Sequence, residues 1–215
     1  MTPKTSATLG ELTNSTRPIC YGVLKPGPFV ENGVPLVRIV DIAGDQLDLS
    51  NAHRISSALD TEFARSRLEG GELLLSIQGT IGRVAIAPLS AKGANISRTI
   101  AVIAPDDRVD RRYLRYFLMY LGVAHRFKVT GTTRDSLNIG DIRSIEVPLA
   151  TPDEQRRIVG SLDSQLSRVA SIETSLQSLS GASSISAMEG KIARLRRSLL
   201  HAAFTGQLTR EFRNE

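Results

Sequence analysis

Apolar residues recur at three- and four-residue steps through the last quarter of the chain, from about residue 153 to 204. Ile158, Leu162, Leu166, Val169, Ile172, Leu176 and Leu179 form one run. Ile185, Met188, Ile192, Leu195 and Leu199 form a second. One narrow apolar stripe on a polar helix is a coiled-coil seam rather than the broad buried face of a globular helix. Thr151-Pro152-Asp153-Glu154 starts the tract with a capping hydroxyl, a first-turn proline and acids at the positive end of the macrodipole. Gly206 reads as the stop. A single helix of about 52 residues would span roughly 78 Å. A chain of 215 residues cannot cover that length alone, so a second surface must lie along it.

Between the two runs, Ser180-Gly181-Ala182-Ser183-Ser184 is poor in helix formers. The phase also slips there, because continuing the first stripe would put Ser183, Ser186 and Gly190 on the seam. A hinge in one long helix or the turn of a helical hairpin would each produce this pattern. The favoured expectation is one long helix over residues 151–206, weakened in the middle, with a short tail at 207–215.

Upstream the periodicity changes. Residues 34–42 alternate apolar and polar positions with β-branched side chains, which predicts a strand. Residues 57–66 predict a short helix, and 68–72 a turn. Residues 73–78 and 83–87 read as two strands joined by Gly79-Thr80-Ile81-Gly82, whose glycines permit a tight reversal. A further strand is expected over 96–104. A helix capped by Asp110 should run to about residue 127, and 145–149 forms a last strand. Residues 129–134 are a small-residue loop. The sum is an α+β domain over residues 1–150, with a curved, mostly antiparallel sheet, followed by a long C-terminal coiled-coil helix.

Composition narrows the functional classes. One cysteine, Cys20, excludes an internal disulfide and a cysteine-based zinc site. No apolar run approaches the roughly 18 residues that a bilayer requires, and no basic-then-apolar leader pattern opens the chain. A cytoplasmic protein is the expectation. Charge is uneven: residues 73–134 hold ten Lys/Arg against three Asp/Glu, a balance of +7, whereas residues 1–72 hold seven against nine. The stretches 73–105 and 111–134 contain no acid, which points to a polyanionic partner.

Catalytic signatures are missing. No phosphate loop ending in Gly-Lys-Ser/Thr occurs, nor a Gly-x-Ser-x-Gly elbow, nor an Asn/Asp-Pro-Pro-Tyr methyltransferase motif. His53, His125 and His201 lack metal-ligand spacing. Asp41, Asp45 and Asp48 are close in sequence but belong to a strand-to-turn segment, so no metal and no catalytic residue is assigned.

Four motifs go beyond these generic signals. Leu75-Ser76-Ile77-Gln78-Gly79-Thr80-Ile81-Gly82-Arg83 comes first, and Thr130-Gly131-Thr132-Thr133-Arg134 with Leu137-Asn138-Ile139-Gly140-Asp141-Ile142-Arg143-Ser144-Ile145 comes second. Asp153-Glu154-Gln155-Arg156-Arg157-Ile158 follows, and Ser198-Leu199-Leu200-His201-Ala202-Ala203-Phe204-Thr205-Gly206-Gln207-Leu208 closes the series. In this order and spacing they resemble the DNA-specificity (S) subunit of type I restriction-modification systems. That resemblance implies a non-catalytic subunit in which target-recognition domains, separated by long antiparallel helices, each read one half of a split DNA site. It implies methyltransferase (modification) subunits as partners and, through them, the endonuclease/translocase subunit. S-adenosylmethionine, ATP and Mg would belong to those partners, with no cofactor in this chain. One domain and one helix make a half-subunit, either natural or part of a longer chain. Its helix seam would then be covered by a second copy, giving a homodimer with two domains at the ends of a spacer. The usual Pro-Pro-Leu ahead of the helix is replaced by Leu149-Ala150-Thr151-Pro152, which puts the domain–helix joint in question.

Reading duplex DNA takes phosphate clamps and side chains that reach base edges. Arg83, Arg98, Lys128 and Arg134 suit the first role. Gln78, Thr80, Thr132, Thr133 and Asn138 are neutral donor–acceptor groups suited to the second. Local alternatives stand beside them: the two threonines could satisfy loop backbone, Gln78 could be a strand-end surface residue, and Asn138 could hold the loop before Ile139. Arg111, Arg112 and Arg115 are expected to face solvent or a partner subunit. A different class of function, a helical scaffold whose domain binds protein without DNA specificity, is the alternative.

Overall fold

The first strand and the last strand of the α+β domain pair with each other. In the computed structural model, which describes residues 5–43, 46–123, 126–127, 136–179 and 182–205, β1 (Thr5–Thr8) runs antiparallel to the strand Glu146–Leu149. The strands between them are β2 (Cys20–Tyr21), β3 (Val34–Val37), β4 (Ile42–Ala43), β5 (Gln46–Leu47) and β6 (His53–Ile55). Helix α1 (Ser57–Glu62) follows, then β7 (Leu73–Ser76), β8 (Val84–Ile86), β9 (Asn95–Ile96) and β10 (Ile100–Ile103). Helices α2 (Arg111–Val123) and α3 (Ile139–Arg143) precede the closing strand, β11. Two long helices follow β11, α4 (Pro152–Leu179) and α5 (Ala182–Phe204).

The largest described sheet has the order β2-β10-β7-β8, antiparallel throughout. A second, β6-β3-β9, contains a parallel pair, β3 with β9. The α+β class with a mostly antiparallel sheet therefore holds, and α4 is a long C-terminal helix as expected.

Two predicted strands are shorter than their sequence pattern suggests. The strand expected over 34–42 stops at Val37, because the Asp41 carboxylate accepts hydrogen bonds from the Arg38 N–H (2.7 Å) and guanidinium (3.0 Å), closing a 3-10 turn over Ile39–Asp41. The strand expected over 96–104 is two pieces. Ile96 pairs with β3, whereas Ile100 pairs with β7, so the chain changes sheets at residues 97–99. The helix predicted from Asp110 is present: its carboxylate accepts from the N–H groups of Arg112 (2.8 Å) and Tyr113 (2.9 Å). The pairing of β1 with β11 had no alternating pattern to announce it.

The C-terminal tract corrects the favoured expectation. It is two helices, not one continuous rod. Glu173 on α4 pairs with Arg196 on α5 at 2.6 Å, although a straight helix would hold positions 23 residues apart about 34 Å from each other. The chain therefore reverses between the two runs, where Ser180 and Gly181 weaken helical propensity, and forms the hairpin. Burial favours that outcome. Leu200 and Ala203 of α5 enter the same core cluster as Ile158, Val159 and Leu162 of α4 and Tyr113, Phe117 and Leu118 of α2. Of the expected seam, Ile158, Leu162, Val169 and Ile192 are buried within the chain, and Leu166 and Leu199 are partly so. Ile172 and Leu195 remain exposed. The side chains of Leu176, Leu179, Ile185 and Met188 lie outside the described residues.

The joint at Leu149-Ala150-Thr151-Pro152 is well made despite its unusual sequence. Thr151 and Glu154 form a reciprocal cap, with the Glu154 carboxylate accepting from the Thr151 N–H at 3.0 Å. Buried Gln155 accepts from the Asp110 N–H at 2.7 Å and donates to the Ala150 carbonyl at 2.9 Å. One side chain thus ties the start of α4 to the start of α2.

Candidate nucleic-acid interface

The β7–β8 hairpin presents the first motif. β7 is buried along all four residues, as expected for a central strand, and the chain emerges at Gln78. Gly79 (φ 74°) and Gly82 (φ 89°) take the left-handed conformation that the reversal requires. Thr80 and Arg83 are exposed on this turn. Gly82 also needs its missing Cβ: an added one would lie 2.8 Å from the Cα of Gly122 on α2. The turn is therefore seated directly on the C-terminal part of α2.

The second motif comes to the same place. Gln78 forms an antiparallel bridge with Ser136, and the Leu137 N–H donates to the Ile77 carbonyl at 2.9 Å. Gln78, Thr80, Arg83 and the segment beginning at Ser136 therefore share one edge of the domain. Lys128, Thr132, Thr133 and Arg134 lie outside the described residues.

Other candidates are placed as follows. Arg83 also reaches the Ile42 carbonyl at 3.4 Å, which sets the β4–β5 hairpin beside the turn. Arg98 is exposed where the chain switches sheets, with its N–H on the Val23 carbonyl at 2.9 Å. Asn138 is the N-cap of α3: its side chain accepts from the Asp141 N–H at 2.8 Å and donates to the Asp141 carboxylate. That side chain is engaged locally, in line with the loop-holding alternative. Arg112 faces its own chain, paired with Asp163 of α4, and Arg115 lies over the Tyr116 ring at 5.1 Å. The Tyr116 hydroxyl donates to Asp163 at 2.5 Å. Burial, and then this hydrogen bond, push the Tyr116 phenol up to about 12.

Among the described residues no group of three or more His, Cys, Asp or Glu converges as a metal site would. Asp41 is held by Arg38, and Asp48 accepts from the Ser50 N–H at 2.9 Å. Among them, too, no helix is long and apolar enough to cross a membrane. Two features escaped sequence reasoning. The fully buried Ser76 is bonded across the turn, and Gly82 abuts Gly122. The spacing Ser-x-x-Gly-x-x-Gly held a hint of the first, but nothing in the sequence signals the second.

The arrangement is an acid-free turn carrying the exposed Arg83, beside the segment that begins at Ser136, at one edge of the domain. A family model for the type I restriction modification DNA specificity domain matches residues 39–180. The chain belongs to that family. It is also similar to the type I restriction enzyme EcoBI specificity subunit of Escherichia coli, 29% identical over 210 residues, covering 96% of this chain and 42% of that protein. A crystal structure of the HsdS subunit from Thermoanaerobacter tengcongensis matches 96% of this chain and 46% of its own, at 25% identity and a TM-score of 0.62. A structure from work on assembly and conformational transition of the type I R-M system has a TM-score of 0.63 at 24% identity, covering 95% and 46%. The chain thus spans under half the length of the specificity subunits it matches. Within this DNA-specificity family member, the family match spans both the β7–β8 turn and the whole of α4.

Proposed function

We propose that this chain is a non-catalytic DNA-recognition unit of a type I restriction-modification complex, reading one half of a split target. The observation that carries the reading is the meeting of the two motif segments at Gln78 and Ser136, inside a region matched by the DNA-specificity family. Methyl transfer and cleavage are assigned to partner methyltransferase and endonuclease subunits. Arg83 and Arg98 serve as phosphate contacts, Gln78 and Thr80 as groups that meet the duplex, and Lys128, Thr132, Thr133 and Arg134 are assigned by their chemistry as further DNA contacts.

The helical hairpin is the spacer. Its residual apolar face, Ile172 and Leu195, sits beside the Glu173–Arg196 pair, and a second copy of the hairpin would cover it. Two domains would then stand at opposite ends of a two-fold assembly. α4 alone, 28 residues long, spans about 42 Å, somewhat more than one B-DNA turn of about 34–36 Å. A split site with an unread gap of about one turn follows.

Two measurements test the reading. Methylome sequencing of the host with and without the gene should show loss of one bipartite methylated motif. Replacing Arg83 with Ala should weaken duplex binding and lower the slope of log K against log salt by about one. Unchanged methylation on deletion, or unchanged DNA binding in the variant, would favour a protein-binding scaffold instead.

A further inference from the structure

Ser76 ends β7 and is fully buried, yet it makes more hydrogen bonds to the exposed turn than any apolar neighbour could. Its N–H donates to the Arg83 carbonyl (2.9 Å), and its carbonyl accepts from the Gly82 N–H (3.1 Å). Its hydroxyl accepts from the Arg83 N–H at 2.8 Å and donates to the Thr80 carbonyl at 2.5 Å. The backbone pair is ordinary hairpin ladder. The hydroxyl pair is not: it bridges the middle of the turn to its far end, which the ladder alone leaves unconnected.

We propose that Ser76 is a positioning residue for DNA binding, its hydroxyl holding the Gly79–Gly82 turn so that the exposed Thr80 and Arg83 meet a phosphate of the duplex. This rests on the DNA-recognition reading above. The turn suits a phosphate. Thr80 supplies a hydroxyl donor and Arg83 a guanidinium, and a phosphate is an acceptor throughout. Gly79 stands in open space, with nothing within 4 Å of where a Cβ would be, so a backbone-to-backbone approach is sterically free. A turn with two glycines at positive φ has more alternative conformations than any other part of the hairpin. Without the hydroxyl, the Arg83 N–H and the Thr80 carbonyl lose their shared partner, and the geometry presented to a phosphate is no longer unique.

The experiment uses the full chain and a random-sequence duplex of about 30 base pairs at low salt, where phosphate contacts dominate binding. Ser76→Ala should weaken binding about tenfold. It should also accelerate hydrogen exchange at the Arg83 amide while leaving the amides of Leu74 and Leu75 protected. In a Thr80→Ala/Arg83→Ala background, Ser76→Ala should cost nothing further, because the groups it positions are gone. Should Ser76→Ala fold poorly, Ser76→Cys keeps the side chain's bulk with a much weaker hydrogen-bonding group and should show the same loss. Wild-type binding by Ser76→Ala or Ser76→Cys, or a loss that adds in full to that of the double variant, overturns the role of Ser76 and leaves the DNA reading intact. Wild-type binding by Thr80→Ala/Arg83→Ala, or no duplex binding by the native chain, overturns the DNA reading itself.

Discussion

The Phe204 ring at the end of α5 stacks on Tyr120 of α2, with centroids 5.6 Å apart and ring planes 24° from parallel. The same ring meets Phe117 edge-on at 5.4 Å and Tyr113 at 5.5 Å. This aromatic cluster, with Leu200 and Ala203 beside it in the same core, fastens the returning helix to the domain, whereas the Glu173–Arg196 pair is a partly exposed contact worth little. Phe204→Ala should therefore cost about 2–3 kcal/mol, the low end for an aromatic deletion because the ring is only partly buried. Thermal unfolding should fall by roughly 5–10 °C. Arg196→Ala should shift it by under about 2 °C. An equal loss for the two variants would mean that the hairpin is held at its far end instead.

Acid should loosen the domain at the turn that precedes β7. Burial alone would raise the Glu72 carboxyl, but hydrogen bonds from the Glu69 N–H (2.7 Å) and the Arg17 guanidinium (2.6 Å) outweigh it and hold the group below its ordinary value of 4.5. A carboxyl lowered in the folded state contributes stability in full above its unfolded value, and that contribution disappears as pH falls through the folded value. Wild-type stability should thus decline as pH drops below about 4.5. Glu72→Gln should be less stable at neutral pH by about 1–3 kcal/mol, with a flatter decline in acid. Chemical denaturation at pH 7 and at lower pH distinguishes the two slopes.

Two glycines of one turn should respond differently to alanine. Both have positive φ, a cost of roughly 1–2 kcal/mol for any L side chain. At Gly79 nothing else stands in the way, whereas at Gly82 the new methyl would press on the unyielding Gly122 backbone at 2.8 Å. Gly79→Ala should therefore show only the conformational cost. Gly82→Ala should lose at least about 1 kcal/mol more and displace the turn from α2, weakening duplex binding. Equal stability of the two variants would show that the turn moves away from α2 without resistance.

How much of this was legible follows from which interactions are local. Asp110 capping α2, the glycine reversal after β7 and the start at Thr151-Pro152 depend on residues within one turn of each other, and sequence spacing displays them. The pairing of β1 with β11 joins Thr5 to Leu149, and no local pattern carries information over that separation. Asp41 looked like part of an alternating strand, yet its carboxylate is close enough to cap Arg38 and ends the strand. The hairpin was half legible. The phase slip at Gly181 allowed two outcomes, and the deciding contact, Phe204 on Tyr120, is between elements whose meeting the periodicity does not encode. Of the candidate site, the glycine spacing displayed the hairpin turn, but the capping role of Asn138 could not be told from base reading by residue type alone, because a capping amide and a reading amide are the same chemistry.

The fold also fixes what should happen to the assembly. With Ile158, Leu162, Val169 and Ile192 buried inside the chain, the apolar surface left for a second copy is smaller than an unpaired stripe would offer, by four of the eight described seam positions. Ile172 at 53% exposure and Leu195 at 46% are its described remainder. If they form the contact, a charge on each should abolish it without unfolding the hairpin, because neither side chain contributes to the core. Ile172→Asp/Leu195→Asp is expected to convert a dimer to a monomer in sedimentation at micromolar concentration, with thermal unfolding of the monomer lowered only by the loss of association. The double variant should retain binding to a short duplex, since the β7–β8 turn is untouched, but lose avidity for a duplex long enough for two domains. A wild-type chain that sediments as a monomer would remove the two-fold spacer and leave one domain reading one half-site alone.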